Sequence, residues 1–334
     1  MDIGLTPVIL AALLSFLIGV FAVPSIAKAN GRRGVMGVDV HKPHRPSIPE
    51  ACGLAIICAA VPPLIVAAPL HGWGEPLREY TALTVLGLTA GLIGLWDDLK
   101  PLSPRVKPLL TALAGLPILL LHVYTPRPML PFIGATRLTI VYPLLILVGV
   151  AVTANAVNMM DVFNGVMPGT CGIIAAFTTV TLMAMGRWSV AYASAALTGA
   201  LAAFYIYNRY PARVFAGDSG SLFVGAMLGG IAIIGRLEIF MIVALMPHIM
   251  NAFYSLSSIG RLYERREVAS RPIRILDDYR LDASPDGRAP LTLARIILVH
   301  GPLDERGLIR IMTALTFLSS ILAVSTLLMV PGVR

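Results

Sequence analysis

Thr139-Ile-Val-Tyr-Pro-Leu-Leu-Ile-Leu-Val-Gly-Val-Ala-Val-Thr-Ala-Asn155-Ala-Val-Asn158 is followed at once by Met-Met-Asp161-Val-Phe-Asn164-Gly165. The first part is an apolar run of about 20 residues, the length a helix needs to cross a bilayer. A barrel strand would be half as long and would alternate in polarity, which this run does not. At its end stand amides and a carboxylate, groups that are costly beside hydrocarbon and therefore informative where they occur.

Working outward, similar apolar runs recur at roughly 4–27, 51–69, 80–96, 107–123, 166–185, 188–207, 221–235, 238–259 and 307–330. Over 334 residues, 57% are hydrophobic and 13% charged, against about 25% charged in a soluble domain. Mean hydropathy is +0.80. The reading is an all-α, polytopic transmembrane helical bundle of about ten spans. The first run is a retained helix and not a signal peptide, because only Asp2 precedes it and no small-residue cleavage site comes before Lys28. No linker, repeat or low-complexity tract divides the chain, so 1–334 reads as a single integral membrane domain with a loop at about 260–307 inside it.

Charge asymmetry orients the bundle. Connections on one side hold 20 of the 26 Lys and Arg residues, ten of them between Arg261 and Arg310; the other side keeps Arg78, Arg127, Arg137, Arg187, Arg236 and Arg334. By the positive-inside rule the basic side is cytoplasmic and both termini face out. The net charge of +8 thus reflects topology, with anionic lipid headgroups and an anionic substrate as further reasons. No soluble basic face exists for nucleic acid.

Acidic residues between the first and eighth spans gather on that cytoplasmic edge: Asp39, Glu50, Asp97, Asp98, Asp161 and Asp218, with only Glu75 and Glu79 opposite. In His41-Lys-Pro-His-Arg-Pro-Ser-Ile-Pro-Glu50 the prolines impose an extended path. Its last residue, Glu50, stands where a helix dipole favours a carboxylate. Trp96-Asp97-Asp98 closes the third span and Lys107 opens the fourth. Paired carboxylates at a helix C-terminus repel each other and the dipole, so a divalent cation or a cationic substrate group is expected to offset them. Asn155, Asn158 and Asp161 are spaced by threes on one helix face; amide oxygens with carboxylates suit a hard cation such as Mg²⁺. Val214-Phe-Ala-Gly-Asp218-Ser-Gly-Ser221 is a small-residue turn feeding a helix N-terminus, where a backbone can approach phosphate. Cys52, Cys58 and Cys171 lie in apolar runs and read as buried small hydrophobes, and no histidine pair has metal-ligand spacing.

These pieces, in order from Arg45 to about Arg306, resemble a polyprenyl-phosphate N-acetylhexosamine-1-phosphate transferase. Asp97-Asp98 is similar to the family's aspartate pair, Asn155-x-x-Asn158 with Asn164-Gly165 to its Asn-rich segment, and Phe215-x-Gly-Asp-x-Gly-Ser221 to its most distinctive motif. Arg45-Pro-Ser-Ile-Pro-Glu50 and Gly301-Pro-Leu-Asp-Glu-Arg306 resemble the dolichyl-phosphate GlcNAc-phosphotransferase branch. Ser270-Arg-Pro-Ile-Arg274 departs from both the bacterial histidine cluster and the dolichol branch's Arg-His-Arg; Val162 replaces a common glycine, and Asp161 keeps an acid more usual in bacterial members.

The resemblance implies transfer of GlcNAc 1-phosphate from UDP-GlcNAc to a polyprenyl or dolichyl phosphate, with membrane lipids as surroundings and no bar to a homodimer. It implies Mg²⁺, or Mn²⁺, on Asn158 and Asp218. Asp97 or Asp98 would accept a proton, and Lys107, Arg271 and Arg274 would offset phosphate charge. Asn164 and Phe215 would read the uracil, Glu50 the ribose region, and Asn155 would stand on the substrate side. The same chemistry with another UDP-N-acetylhexosamine or an undecaprenyl acceptor is the alternative. A transporter would place its charges near the midplane on broken helices, and a scaffold needs no such cluster. Arg outnumbers Lys 22 to 4, which favours an archaeal cell membrane.

Overall fold

Lipid on one side and protein on the other set the pattern of the first helix, α1 (Leu5–Arg32). It exposes Ile9, Leu13, Leu17 and Phe21 and buries Val8, Ala11, Ser15, Gly19 and Val23 at helical spacing. The computed structural model describes residues 4–42, 44–70, 74–260, 262 and 270–332. Asp2, Pro43, His71, Arg261, Arg265, Arg266 and Arg334, used above, lie outside the described residues.

The order continues with a hairpin of β1 (Met36–Val38) and β2 (Ser47–Pro49), then α2 (Leu54–Leu70), α3 (Glu75–Leu99), α4 (Val106–Leu113) and α5 (Leu116–Leu120). A second hairpin, β3 (Met129–Leu130) with β4 (Gly134–Ala135), precedes α6 (Tyr142–Met160), α7 (Val166–Ala184), α8 (Trp188–Asn208) and α9 (Gly217–Gly235). Then come α10 (Glu238–Ala244), α11 (Met246–Ile259), a third hairpin of β5 (Ile273–Ile275) and β6 (Leu281–Ala283), α12 (Leu293–Leu298) and α13 (Glu305–Leu328).

All ten expected positions carry helix, although not all as full spans. Seven helices among the described residues are long and apolar enough to cross a membrane, and α10 with α11, bent by 68°, make an eighth. The expected second and fourth spans fall on shorter apolar helices, the latter interrupted where Gly115 and Pro117 separate α4 from α5. Pro247 falls in the first turn of α11, just after the bend, where its missing N–H costs no helical hydrogen bond. Cys52 and Cys171 are buried as expected, whereas Cys58 is exposed on the outer side of α2.

The centre of the bundle is α9, buried from Ser219 to Gly235 and packed mainly on α3 and α6. Apolar side chains gain little by leaving lipid for protein, so close backbone approach by small residues must supply the packing. A Cβ on Gly225 would lie 2.6 Å from Ala154 Cα, and one on Gly53 would lie 2.6 Å from the Ala216 carbonyl oxygen. Hydroxyls buried in the bundle turn back on their own helix: Thr170, Thr178, Thr179 and Thr181 donate to carbonyls four residues earlier at 2.7–2.8 Å. At the start of α3, far from its aspartate pair, buried Glu79 is held by Arg187 at 3.1 Å and by Ser189. A small second core of Met160, Phe163, Val166, Leu281, Leu298 and Leu308 pins the third hairpin and α13 against the end of α6.

Candidate active site

Four helix ends converge. The C-terminus of α3 brings Asp97 and Asp98, the N-terminus of α4 brings Lys107, the C-terminus of α6 brings Asn158, and the N-terminus of α9 brings Asp218. Lys107 Nζ is the hub, donating to Asp97 Oδ2 at 2.8 Å, to Asn158 Oδ1 at 3.2 Å and to Asp218 Oδ2. Asn158 Nδ2 donates to Asp218 Oδ1 at 2.7 Å and to Ser221 Oγ at 2.8 Å, which fixes the orientation of its amide.

The aspartate pair divides its work. Asp97 faces Lys107, and its Oδ1 accepts the Leu102 N–H at 2.5 Å. Asp98 turns the other way, accepting the backbone N–H of Asp218 at 2.7 Å and of Ser219 at 3.0 Å. It thus caps α9 from a neighbouring helix, where unpaired amides and the positive end of the dipole stabilise a carboxylate. Gly217 has φ of +68°, and a Cβ there would come within 2.8 Å of both Asp98 oxygens. The turn has room for glycine alone. The repulsion expected between the two carboxylates is therefore offset by protein groups, Lys107 on one side and a helix end on the other.

From Asp218 a cleft of about 190 Å³ runs past Asn158, Asp161 and Val162 to Phe163, Asn164, Phe215, Glu50 and the residues of β1. Its far wall is zipped together by backbone. Phe215 N–H donates to Pro49 O at 2.8 Å, Cys52 N–H to Phe215 O at 2.9 Å, and Gly53 N–H to Ala216 O at 2.8 Å. This ladder sets Phe215 beside Glu50, so tightly against Gly37 that a Cβ there would lie 3.1 Å from both side chains. The prolines before Glu50 serve it, since Ser47–Pro49 is the extended strand β2.

Other expected site residues are placed differently. Asn155 donates to Thr111 Oγ1 and to Ala151 O, both at 2.8 Å, so it braces α6 against α4 one turn below Lys107. A spacing of three falls about 60° short of a full turn, so Asn155 and Asp161 diverge by about 120° and do not share one face. Asn164 lines the cleft, yet its amide is occupied: Nδ2 donates to Asp39 Oδ2 at 3.1 Å, and Oδ1 accepts the Ala212 N–H at 2.8 Å. Neither Arg271 nor Arg274 lines the cleft. Arg274 stands opposite Asp282 in the β5–β6 register and pairs with it at 2.6 Å on the exposed face.

Sequence reasoning missed Ser221, Gly94 and a buried network of Asp39, Lys42 and Glu305. A Cβ on Gly94 would lie 2.6 Å from Ser219 Cα, so α3 touches the backbone of the Asp218 turn. Asp39, His41 and Glu305 present ligand-type atoms within 4.8 Å of one another, but Lys42 already bridges the two carboxylates. Around Asp218 the donor set fits a hard divalent cation better: the groups are oxygens, they already attract one cation in Lys107, and Asp218 is 28% exposed at the cleft.

Comparison with known proteins gives the family. The profile of glycosyl transferase family 4 matches residues 80–236, which carry Asp97 through Asp218. The chain is 30% identical over 253 residues to the phospho-N-acetylmuramoyl-pentapeptide-transferase of Streptococcus mutans, covering 70% of this chain and 74% of that one. It is 27% identical over 272 residues to a Saccharolobus solfataricus protein with the provisional name UDP-N-acetylglucosamine–dolichyl-phosphate N-acetylglucosaminephosphotransferase, covering 77% and 84%. A Methanocaldococcus jannaschii protein, provisionally named a glycosyltransferase, is 28% identical over 277 residues, covering 83% and 82%. These matches make the chain a member of glycosyl transferase family 4, the polyprenyl-phosphate hexosamine-1-phosphate transferases.

Proposed function

We propose that this chain transfers N-acetylglucosamine 1-phosphate from UDP-GlcNAc to a polyprenyl phosphate of the dolichyl type, releasing UMP. The carrying observation is the meeting of Asp97, Lys107, Asn158 and Asp218 at one end of a cleft whose other end holds Phe215 and Glu50. That layout suits a nucleotide sugar, with its diphosphate at the Asp218 end, where Lys107 and a divalent ion would meet it, and its flat base near the aromatic ring. Resemblance of the 45–50 and 301–306 segments to the dolichol branch, and the provisional name of the Saccharolobus relative, favour GlcNAc and dolichyl phosphate over other hexosamines or undecaprenyl phosphate.

In the reaction, a phosphate oxygen of the lipid attacks the β-phosphorus of UDP-GlcNAc. The bond from that phosphorus to the bridging oxygen breaks, and the electron pair leaves with UMP. Phosphoryl transfer of this kind asks mainly for alignment and for cancelled charge. Lys107 places an ammonium beside the diphosphate. Asn158, held by Ser221 and Asp218, keeps its amide oxygen toward the same point. Asp97 sets the position of Lys107, and Asp98 sets the turn that carries Asp218. Asp218 and Asn158 would hold Mg²⁺ or Mn²⁺, which when bound supplies Lewis-acid charge between the anionic reactants. Because a phosphate near neutral pH is already ionised, Asp97 serves as a partner of Lys107 and not as an obligatory base.

Charge asymmetry favours a cytoplasmic position for this end and both termini outside, in one membrane domain with the 260–307 loop within it. Arg-rich composition and the archaeal relatives favour an archaeal cell membrane. The test is UMP release by purified protein in detergent, given a polyprenyl phosphate and a panel of UDP-sugars with Mg²⁺ or a chelator. Release with UDP-GlcNAc that needs both lipid and metal is expected. Release only with another UDP-sugar would overturn the substrate, and no release by folded protein would overturn the activity.

A further inference from the structure

The Gly301–Arg306 motif plays no part in the reaction just described, yet its Glu305 side chain is only 5% exposed. Glu305 Oε1 accepts the Asn164 backbone N–H at 3.3 Å, and Oε2 pairs with Lys42 Nζ. Lys42 also reaches Asp39 Oδ2 at 3.3 Å, and Asp39 accepts the Asn164 amide. The Tyr210 ring lies between Lys42 Nζ at 4.1 Å and the Arg306 guanidinium at 4.7 Å from its centroid. Four chain segments remote in sequence are thus closed on one another directly behind Asp39 and Asn164, which form the cleft wall.

We propose that Glu305 is a positioning residue: through Lys42, Asp39 and Asn164 it holds the cleft wall that receives the uridine, and so sets nucleotide affinity and not the rate of phosphoryl transfer. The inference rests on the functional reading above, because only that reading puts the nucleoside at this end. Glu305 sits behind the wall and the Lys107–Asp218 centre is built from other residues, so its loss should leave the reacting end intact. Charge orders the variants. Asp39 and Glu305 face a single lysine, so Glu305→Gln leaves a balanced Lys42–Asp39 pair. Lys42→Met leaves two buried carboxylates, the costlier state.

The experiment measures UMP binding by calorimetry and steady-state kinetics for wild type, Glu305→Gln, Lys42→Met and the double variant. Glu305→Gln is expected to weaken UMP and raise the KM for UDP-GlcNAc about tenfold, the usual scale for a lost hydrogen bond to a charged group. The kcat and the KM for polyprenyl phosphate should change by less than about twofold. Lys42→Met should lose more, and the double variant should recover part of that loss. Unchanged UMP affinity in Glu305→Gln, or a fall in kcat at constant KM, overturns the inference. If Glu305→Gln does not fold, Lys42→Arg, which keeps the charge on a different shape, carries the same KM-against-kcat split. Wild type that binds no UMP overturns the functional reading and this inference together.

Discussion

Gly94→Ala is the smallest change expected to disable the site without touching a polar group. Gly94 lies one turn before the aspartate pair, and an added Cβ would sit 2.6 Å from Ser219 Cα, closer still to the Asp218 carbonyl. Those atoms are backbone, so no side chain can swing away. Restoring ordinary contact at 3.4 Å with the Asp218 carbonyl oxygen, 2.2 Å from that Cβ, requires α3 and the Asp218 turn to separate by about 1.2 Å. The hydrogen bonds crossing that contact are Asp218 N–H to Asp98 at 2.7 Å and Ser219 N–H to Asp98 at 3.0 Å. A shift of about 1.2 Å takes both past the limit of a useful bond, and Asp218 moves relative to Asn158 and Lys107. Misplacement of about 1 Å can lower turnover by about 10², equivalent to about 2.7 kcal/mol of transition-state stabilisation. The assay is UMP release at saturating substrates, beside melting temperature in detergent. Gly149→Ala on α6, where a Cβ meets nothing within 4 Å, is the control and should match wild type. A folded Gly94→Ala protein that keeps more than a third of wild-type turnover would refute the reasoning.

Two further predictions follow from the same centre. Asp218→Ala should abolish transfer, with turnover down at least about 10³-fold, while circular dichroism and detergent elution stay native, because Lys107 keeps Asp97 and Asn158 as partners; near-normal turnover would remove Asp218 from the metal and phosphate site. Asp98→Asn keeps one acceptor but loses a charge from the N-terminus of α9, so melting should drop by a few degrees for about 1 kcal/mol and kcat should fall about tenfold. An Asp98→Asn enzyme with wild-type kcat would mean that the cap does not hold Asp218 in place.

What could be read from sequence was what local pattern carries. Helix positions were legible because lipid demands runs of about 20 apolar residues whatever the fold, and α6 ends its apolar run at the polar cluster that reaches Asp218. The interrupted α4–α5 and the bent α10–α11 were not, because a window of hydropathy passes over a single Gly-Leu-Pro or Met-Pro step. The partner of Asn155 was not legible, because a spacing of three reads as one face while the 60° drift turns its amide to Thr111. The partner of Arg274 was not legible because hairpin register, which sets it as Asp282, depends on a turn whose geometry no local motif announces. Lys42 and Glu305 are 263 residues apart, and their pairing belongs to tertiary structure alone.

The aspartate pair shows how much of the compensation its charges demand the protein itself supplies. Two carboxylates at a helix C-terminus do require compensation, and a divalent cation or a cationic substrate group was expected to supply it. In the fold the compensation is internal: Lys107 meets Asp97, and the first amides of α9 meet Asp98. The pair is therefore no argument for a cation. Asp218 is different. Its two oxygens take Lys107 and the Asn158 amide, yet it remains open to the cleft, where a diphosphate would bring further negative charge. A carboxylate and a diphosphate cannot share that space without added positive charge, and one ammonium is too little for three anionic groups. On the proposed reading, the call for a divalent ion comes from the substrate's charge at Asp218. Metal affinity should accordingly rise when UDP-sugar is bound, and calorimetry with Mg²⁺ in the presence and absence of UMP would detect that coupling.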